Sequence, residues 1–234
     1  MTSRLAKFCG GFFALVLIFL MLGCGGSGSS TQLRVLAASP DQSTVQALVD
    51  GAAFGGTLAY EANTGYQSVN SGSRQFAIEA VGTTTNLVPN NTTLTLGSGT
   101  ETTFILAGFS SSLQGMVLTD DNTAPASNTV NIRLVNAMPS LGAVDVYVVT
   151  PGTSLSNSTP TVSNLGFAQP PSQYYNFPVS SSTTYEIYYT QVGTTFTYLD
   201  TGPIGFTNGQ NRTIVGLNNT SGGSYTFVTL KDLN

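Results

Sequence analysis

The side chains here with chemistry to offer are chiefly carboxylates, arginines and tyrosines. The sequence has 234 residues, with 11 Asp and Glu, 7 Lys and Arg, 10 Tyr, 2 Cys and neither His nor Trp. Without imidazole there is no Ser-His-Asp or Cys-His catalysis and no His-ligated zinc, copper or haem. The route left to an enzyme is a carboxylate-only hydrolase, which needs two acids at a defined separation. Asp120-Asp121 is the one adjacent acidic pair. Beside Asn122-Thr123 it reads as a solvated loop, with a weak calcium site built from loop carbonyls as the sharper alternative. The spacing matches neither an EF-hand loop nor a glycine-rich nonapeptide. Gly97-Ser98-Gly99 lacks a following Lys and a strand-to-helix setting, so it is a turn and not a phosphate cradle. No cofactor and no metal is expected.

Arg34 and Arg133 stand in matching stretches, Leu33-Arg34-Val35 and Ile132-Arg133-Leu134, among only five basic residues beyond position 7. An arginine alternating with apolar neighbours in a strand faces away from them. Asp50 and Asp145 are the expected partners in the two copies. Use in both copies points to folding chemistry, with ligand binding as the alternative. Tyrosines crowd the second half. Tyr174 and Tyr175 follow Pro170-Pro171 in a loop, and Tyr188 alternates with Tyr185, Ile187 and Tyr189. Tyr174, Tyr175 and Tyr188 are therefore the candidate binding residues, able to stack on sugars or anchor a protein contact.

These residues must be positioned by strands. Residues 33–40 recur 99 positions later at 132–139, and 45–49 recur at 144–148. With a longer loop in the second copy, 75–78 matches 184–187, 81–83 matches 192–194, and 103–106 matches 212–215. Two copies of this size are two domains, not a solenoid. Residues 74–81 and 184–190 alternate with period two, and no segment beyond the leader sustains a helical period. Short runs rich in Val, Ile, Thr, Tyr and Phe, punctuated by Gly, Pro and Asn, complete the pattern. The fold class is all-β: two tandem antiparallel, immunoglobulin-like β-sandwiches, with a small barrel as the alternative. The expected divisions are 33–122 and 130–234, joined by a linker at 123–129. Pro40 and Pro139 should end the first strand of each copy.

The first residues carry an address. Arg4 and Lys7 precede an unbroken apolar run at 12–22, the length of a signal-peptide core and short of a membrane span. Leu20-Met21-Leu22-Gly23-Cys24, followed by Gly and Ser, resembles the lipobox of bacterial lipoproteins. The resemblance implies cleavage after residue 23, acylation of Cys24, and a tether at 24–32. Gly25 in place of Asp implies the outer membrane if the cell is Gram-negative. An ordinary signal peptide or a hydrophobic anchor is the alternative. Cys9 lies in the leader, so Cys24 would be the single cysteine of the mature chain.

A second resemblance rests on Arg34-Val35, Ala38-Ser39-Pro40-Asp41 and Val49-Asp50-Gly51, and on Arg133, Ala137, Pro139 and Val144-Asp145-Val146-Tyr147-Val148. These resemble the opening motifs of the bacterial domain-of-unknown-function family 4397. That implies a secreted or surface-anchored β-sandwich module, often in tandem, with no established activity. The family's histidine is replaced by Ala37 and Asn136, so chemistry resting on it cannot operate here. The position is read as structural, a strand-end hydrogen bond that Asn136 can still make. With 8% charged residues and a pI near 4.5, nucleic acid is not an expected partner. The sequence points to a lipid-anchored envelope protein with a structural, adhesion or interaction role and no catalysis. Its partners would be the membrane and an envelope protein or polysaccharide. The alternative is a glycan- or peptide-binding surface module.

Overall fold

The computed structural model describes residues 30–171, 173–220 and 223–234. The expected leader, Cys24 and most of the tether lie outside the described residues. The rest is β-structure in two eight-strand sets. The first holds β1 (Ser30–Ala38), β2 (Val45–Val49), β3 (Ala52–Leu58), β4 (Gln67–Asn70), β5 (Gly72–Ala80), β6 (Thr93–Leu96), β7 (Glu101–Ala107) and β8 (Gln114–Asp120). The second holds β9 (Thr129–Ala137), β10 (Val144–Val149), β11 (Val162–Leu165), β12 (Tyr175–Pro178), β13 (Ser182–Gln191), β14 (Thr197–Thr207), β15 (Asn211–Asn218) and β16 (Tyr225–Leu233). A short 3-10 turn at Leu155–Asn157 interrupts the second set.

Each set folds into two four-stranded sheets with the same topology. In the first they run β4-β1-β7-β8 and β3-β2-β5-β6; in the second, β12-β9-β15-β16 and β11-β10-β13-β14. The expected sandwiches are present, with one departure from antiparallel pairing in each. β1 runs parallel to β7, and β9 runs parallel to β15. Strand β1 already pairs from Ser30, so residues 30–32 are sheet and not tether. β1 and β9 end one residue before Ser39-Pro40 and Met138-Pro139, where the missing proline N–H costs the ladder nothing.

Two cores fill the sandwiches. Leu33, Val35, Phe76, Ile78, Phe104 and Leu106 build the first; Ile132, Leu134, Tyr185, Ile187, Tyr189 and Ile214 build the second. A third apolar layer joins them. Leu36, Ala38, Ile105, Met116 and Leu118 of the first sandwich pack with Val135, Ala137, Val215, Leu217 and Leu230 of the second. The central strands β1, β7, β9 and β15 are thus buried on both faces. This explains their nearly unbroken apolar runs, which antiparallel sheets with one wet face do not need.

The strand pairings correct two of the expected repeat correspondences. Val45 and Val144 oppose Ala80 and Gln191, so β5 and β13 correspond two residues off the sequence match. A two-residue shift leaves the inward face unchanged. Arg34 opposes Thr103 and Arg133 opposes Thr213, so β7 and β15 correspond one residue off. A one-residue slip exchanges the faces, and only the paired register assigns them correctly.

The molecule has two distinguishable ends. Ser30, Glu101 and Asp120 begin or end their strands together, with the segment to the second sandwich beside them. Asn211 donates from the start of β15 to Asp121 O at 2.7 Å, so the second sandwich has its equivalent end there too. At the opposite end, Tyr60 donates to the Asn218 carbonyl across the two sandwiches.

Candidate functional site: a crossed arginine lattice and an apical groove

The two arginines meet between the sandwiches, in the plane of the third core layer. Arg34 and Arg133 are each 2% exposed. Each lies beside the threonine opposite it on the parallel strand. Arg34 Nε donates to Thr103 Oγ1 at 3.0 Å, and Arg133 Nε to Thr213 Oγ1 at 2.9 Å. Each then crosses to the other sandwich. Arg34 Nη1 donates to Lys231 O at 2.8 Å and Nη2 to Asp232 Oδ1 at 2.5 Å. Arg133 Nη1 donates to Thr119 O at 3.0 Å and Nη2 to Asp120 Oδ1.

The second carboxylate oxygens are also taken. Asp120 Oδ2 accepts from Thr103 Oγ1 at 2.5 Å and from Tyr66 Oη at 2.6 Å. Asp232 Oδ2 accepts from Thr213 Oγ1 at 2.6 Å and from Tyr174 Oη at 2.9 Å. The guanidinium of Arg34 lies 4.3 Å from the Tyr66 ring centre, and that of Arg133 lies 4.6 Å from that of Tyr174. These are cation–π distances. Arg, Thr, Asp and Tyr therefore occur twice, related by a pseudo-twofold axis. Two positive and two negative charges cancel inside the layer, which is what lets them be buried together.

Burial sets the direction of the titrations. Tyr66 and Tyr174 hold their phenolic protons well above the ordinary tyrosine range, chiefly because desolvation disfavours the phenolate. The neighbouring carboxylates push the same way, and the arginines oppose them. Desolvation, the largest single influence, would lower Arg133, but Asp120, Tyr174 and Asp232 together outweigh it and the net shift is upward.

This arrangement corrects several expectations. Asp120 is 6% exposed and fully engaged, so it is neither a solvated loop residue nor a calcium ligand. Asp121 instead accepts the Thr123 N–H at 2.8 Å in a tight turn. Asp50 pairs with the partly exposed Arg74 at 3.2 Å, not with Arg34. Asp145 accepts the Asn164 and Gly193 amides, each at 2.8 Å, not Arg133. Both aspartates sit on β2 and β10 or just beyond, in the sheets remote from the arginines. Asn136 bridges Gly142 O at 2.9 Å and Leu165 O at 3.1 Å, and accepts the Met138 N–H at 3.1 Å. That is the strand-end bond expected of the residue replacing histidine.

The three candidate tyrosines do not form one patch. Tyr174 belongs to the lattice. Tyr175 is not a loop residue but opens β12 opposite Ile132, and lines a shallow notch with Leu165 and Pro170. Tyr188 donates to Glu186 Oε2 at 2.7 Å on the outer face of β13, and this bond helps push its phenol up to about 12. The residues missed from sequence are Asp232, Thr103, Thr213 and Tyr66, whose partners lie up to 198 positions away. A second missed feature lies at the end opposite Ser30. There Phe196, Tyr198 and Tyr225 form a chain of edge-on rings along a groove that also holds Asp200 and Ser224. Among the described residues, no group of three or more His, Cys, Asp or Glu is placed to hold a metal ion.

Fold and lattice together define a tandem β-sandwich protein whose two repeats are fused into one body by a reciprocal Arg–Asp crossing. A family model described as a domain of unknown function (DUF4397) matches residues 31–147, half of the chain, from β1 into β10. The chain belongs to this family. No curated protein matches it. Two solved structures show a faint likeness. A DUF3823 family protein from Bacteroides ovatus is 11% identical, with a TM-score of 0.20, covering 77% of this chain and 98% of that one. A leucine-rich repeat protein from Bacteroides thetaiotaomicron is 11% identical, with a TM-score of 0.20, covering 88% of this chain and 26% of that one. At such scores neither likeness carries an argument.

Proposed function

We propose that this chain is a lipid-anchored protein of the bacterial cell envelope. It displays a rigid pair of β-sandwiches for a structural, adhesive or interaction role, and it is not an enzyme. The observation that carries this reading is the polarity of the body. Strand β1 starts six positions after Cys24, at the end where the two sandwiches are joined. Among the described residues, four of the five exposed large apolar side chains, Val81, Phe109, Val192 and Phe196, lie in turns or at a strand edge at the opposite end. A lipid at Cys24 would leave those tips pointing away from the membrane. Four acids held in structural contacts favour the non-catalytic reading. Asp120 and Asp232 are consumed by the lattice, Asp145 by backbone amides and Asp50 by Arg74. Labelling with palmitate tests the anchor. Wild-type protein should take up label and partition with membranes. Cys24→Ser should lose both, and unchanged labelling of that variant would refute the reading.

A further inference from the structure

The groove at the end opposite Ser30 has a volume of about 510 Å³ and is lined by Phe196, Tyr198, Asp200, Ser224 and Tyr225. We propose that it binds a neutral saccharide. This deepens the interaction role proposed above and rests on it, but it does not depend on the lipid anchor.

The rings are arranged for an outside ligand. Phe196 and Tyr198 are 5.4 Å apart at 81°, and Tyr198 and Tyr225 are 6.0 Å apart at 67°. At such angles no ring in the chain is covered by a parallel neighbour. Phe196 is 63% exposed, the most exposed large apolar side chain among the described residues. Sugar rings present C–H faces that suit such surfaces and hydroxyls that need polar partners beside them. Asp200 is exposed, its carboxylate oriented by the Gly202 N–H at 2.8 Å, and Ser224 is exposed across the groove. Among the described residues the lining carries a carboxylate and no cation, so it disfavours uronic acids, phosphates and acidic peptides, while Asp200 can accept hydrogen bonds from the hydroxyls of a neutral ligand.

The groove is also braced. Ser140 Oγ donates to Tyr225 Oη at 3.2 Å, and Asn218 Nδ2 donates to Ser140 Oγ at 2.9 Å. Asn218 O in turn accepts from Tyr60 of the first sandwich. The wall is thus held by the interface between repeats, as a preorganised site requires. Comparison of the two copies separates this feature from folding chemistry. The Arg, Thr, Asp and Tyr of the lattice occur in both. The aromatic chain does not: residues 81–96, the first-copy counterpart of the β13–β14 tip, contain no aromatic residue.

The test uses the purified full chain in detergent. Cellohexaose, mannohexaose and chitohexaose serve as neutral probes, and hexagalacturonate as their anionic counterpart. Calorimetry gives the dissociation constant, and amide NMR shifts give the location. At least one neutral probe should shift residues 192–200 and 224–227. Phe196→Ala should weaken that binding about 10-fold, the loss of one aromatic face. Val117→Ala, at an exposed position of β8, should leave it unchanged, and so should Cys24→Ser. The proposal is overturned if no neutral probe shifts these amides, if hexagalacturonate binds as tightly, or if Phe196→Ala keeps the wild-type constant. Because Phe196 is mostly exposed, its variant should fold. Cys24→Ser separates failure of the groove from failure of the anchor.

Discussion

Replacing Arg133 by Met should remove about 3–5 kcal/mol of stability, because it leaves a buried carboxylate without its cation. The magnitude follows from what each group loses. Asp120 Oδ1 loses its direct arginine partner, and the remaining cation, Arg34, lies 3.7 Å from Oδ2. Thr119 O and Thr213 Oγ1 each lose a donor. Unpaired buried polar groups cost about 1–3 kcal/mol apiece where no water reaches them. Methionine keeps most of the apolar stem, so lost packing adds little. Asp120→Asn should cost a similar amount, since it strands Arg133 instead. The double variant should cost less than the sum by about 2 kcal/mol or more, the coupling expected of groups in direct contact. By pseudo-symmetry, Arg34→Met and Asp232→Asn should repeat the pattern. The assay is guanidinium unfolding, followed by far-ultraviolet dichroism and by hydrogen exchange in β1 and β9. Wild-type chain should unfold in one transition. The arginine variants should separate into two, because the lattice and the third core layer are what couple the sandwiches. An Arg133→Met cost below about 1 kcal/mol, or strict additivity with Asp120→Asn, would refute the reasoning.

Further expectations follow from the same geometry. Tyr60, Tyr66, Tyr174 and Tyr189 all hold their protons above the usual tyrosine range, chiefly through burial. Their folded values exceed the unfolded value of about 10, so this stability is complete below about pH 10 and is lost as pH rises above it. The fully buried Tyr189 should contribute up to about 1.4 kcal/mol per pH unit to that loss and the partly exposed Tyr60 less, and the double variant Tyr66→Phe/Tyr174→Phe should flatten the alkaline slope of unfolding free energy. Asn136→Ala removes three hydrogen bonds at the end of β9 and should destabilise by about 2 kcal/mol, measured by urea unfolding. Gly115→Ala should be among the most damaging single-methyl additions. Its Cβ would lie 2.3 Å from Phe104 Cζ and 2.5 Å from Asn91 Oδ1, and thermal unfolding should register a loss of about 1–3 kcal/mol.

Much of the fold was legible because its signals are local. Period-two alternation marked β5 and β13, where Phe76, Ile78, Ile187 and Tyr189 do face the cores. Strands β4, β12 and β14 carry no such extended alternation. Gln67–Asn70 and Tyr175–Pro178 are short edge strands with little to bury. Thr197–Thr207 contains Gly202, Pro203 and Gly205, which weaken a strand signal, but it sits on a sheet edge where proline needs no ladder partner. The apical groove was missed because Phe196 carries no alternation and its companions Tyr198 and Tyr225 are 27 positions apart.

The sequence alone determined two β-rich repeats, their strand-forming runs, the absence of imidazole chemistry, and the pairing of Arg34 with Arg133 as equivalent positions. Each is written in neighbouring residues or in direct self-similarity. Tertiary structure decided what those arginines do. Alternation put Arg34 on the face opposite Leu33 and Val35, which is correct, but it could not say that the opposite face is also dry. That depends on the third core layer, built from strands of both repeats. Once water is excluded there, an arginine must find a carboxylate, and the direct partners are Asp232 for Arg34 and Asp120 for Arg133. The nearest acids on the matching motifs, Asp50 and Asp145, were close in sequence and on the wrong sheets.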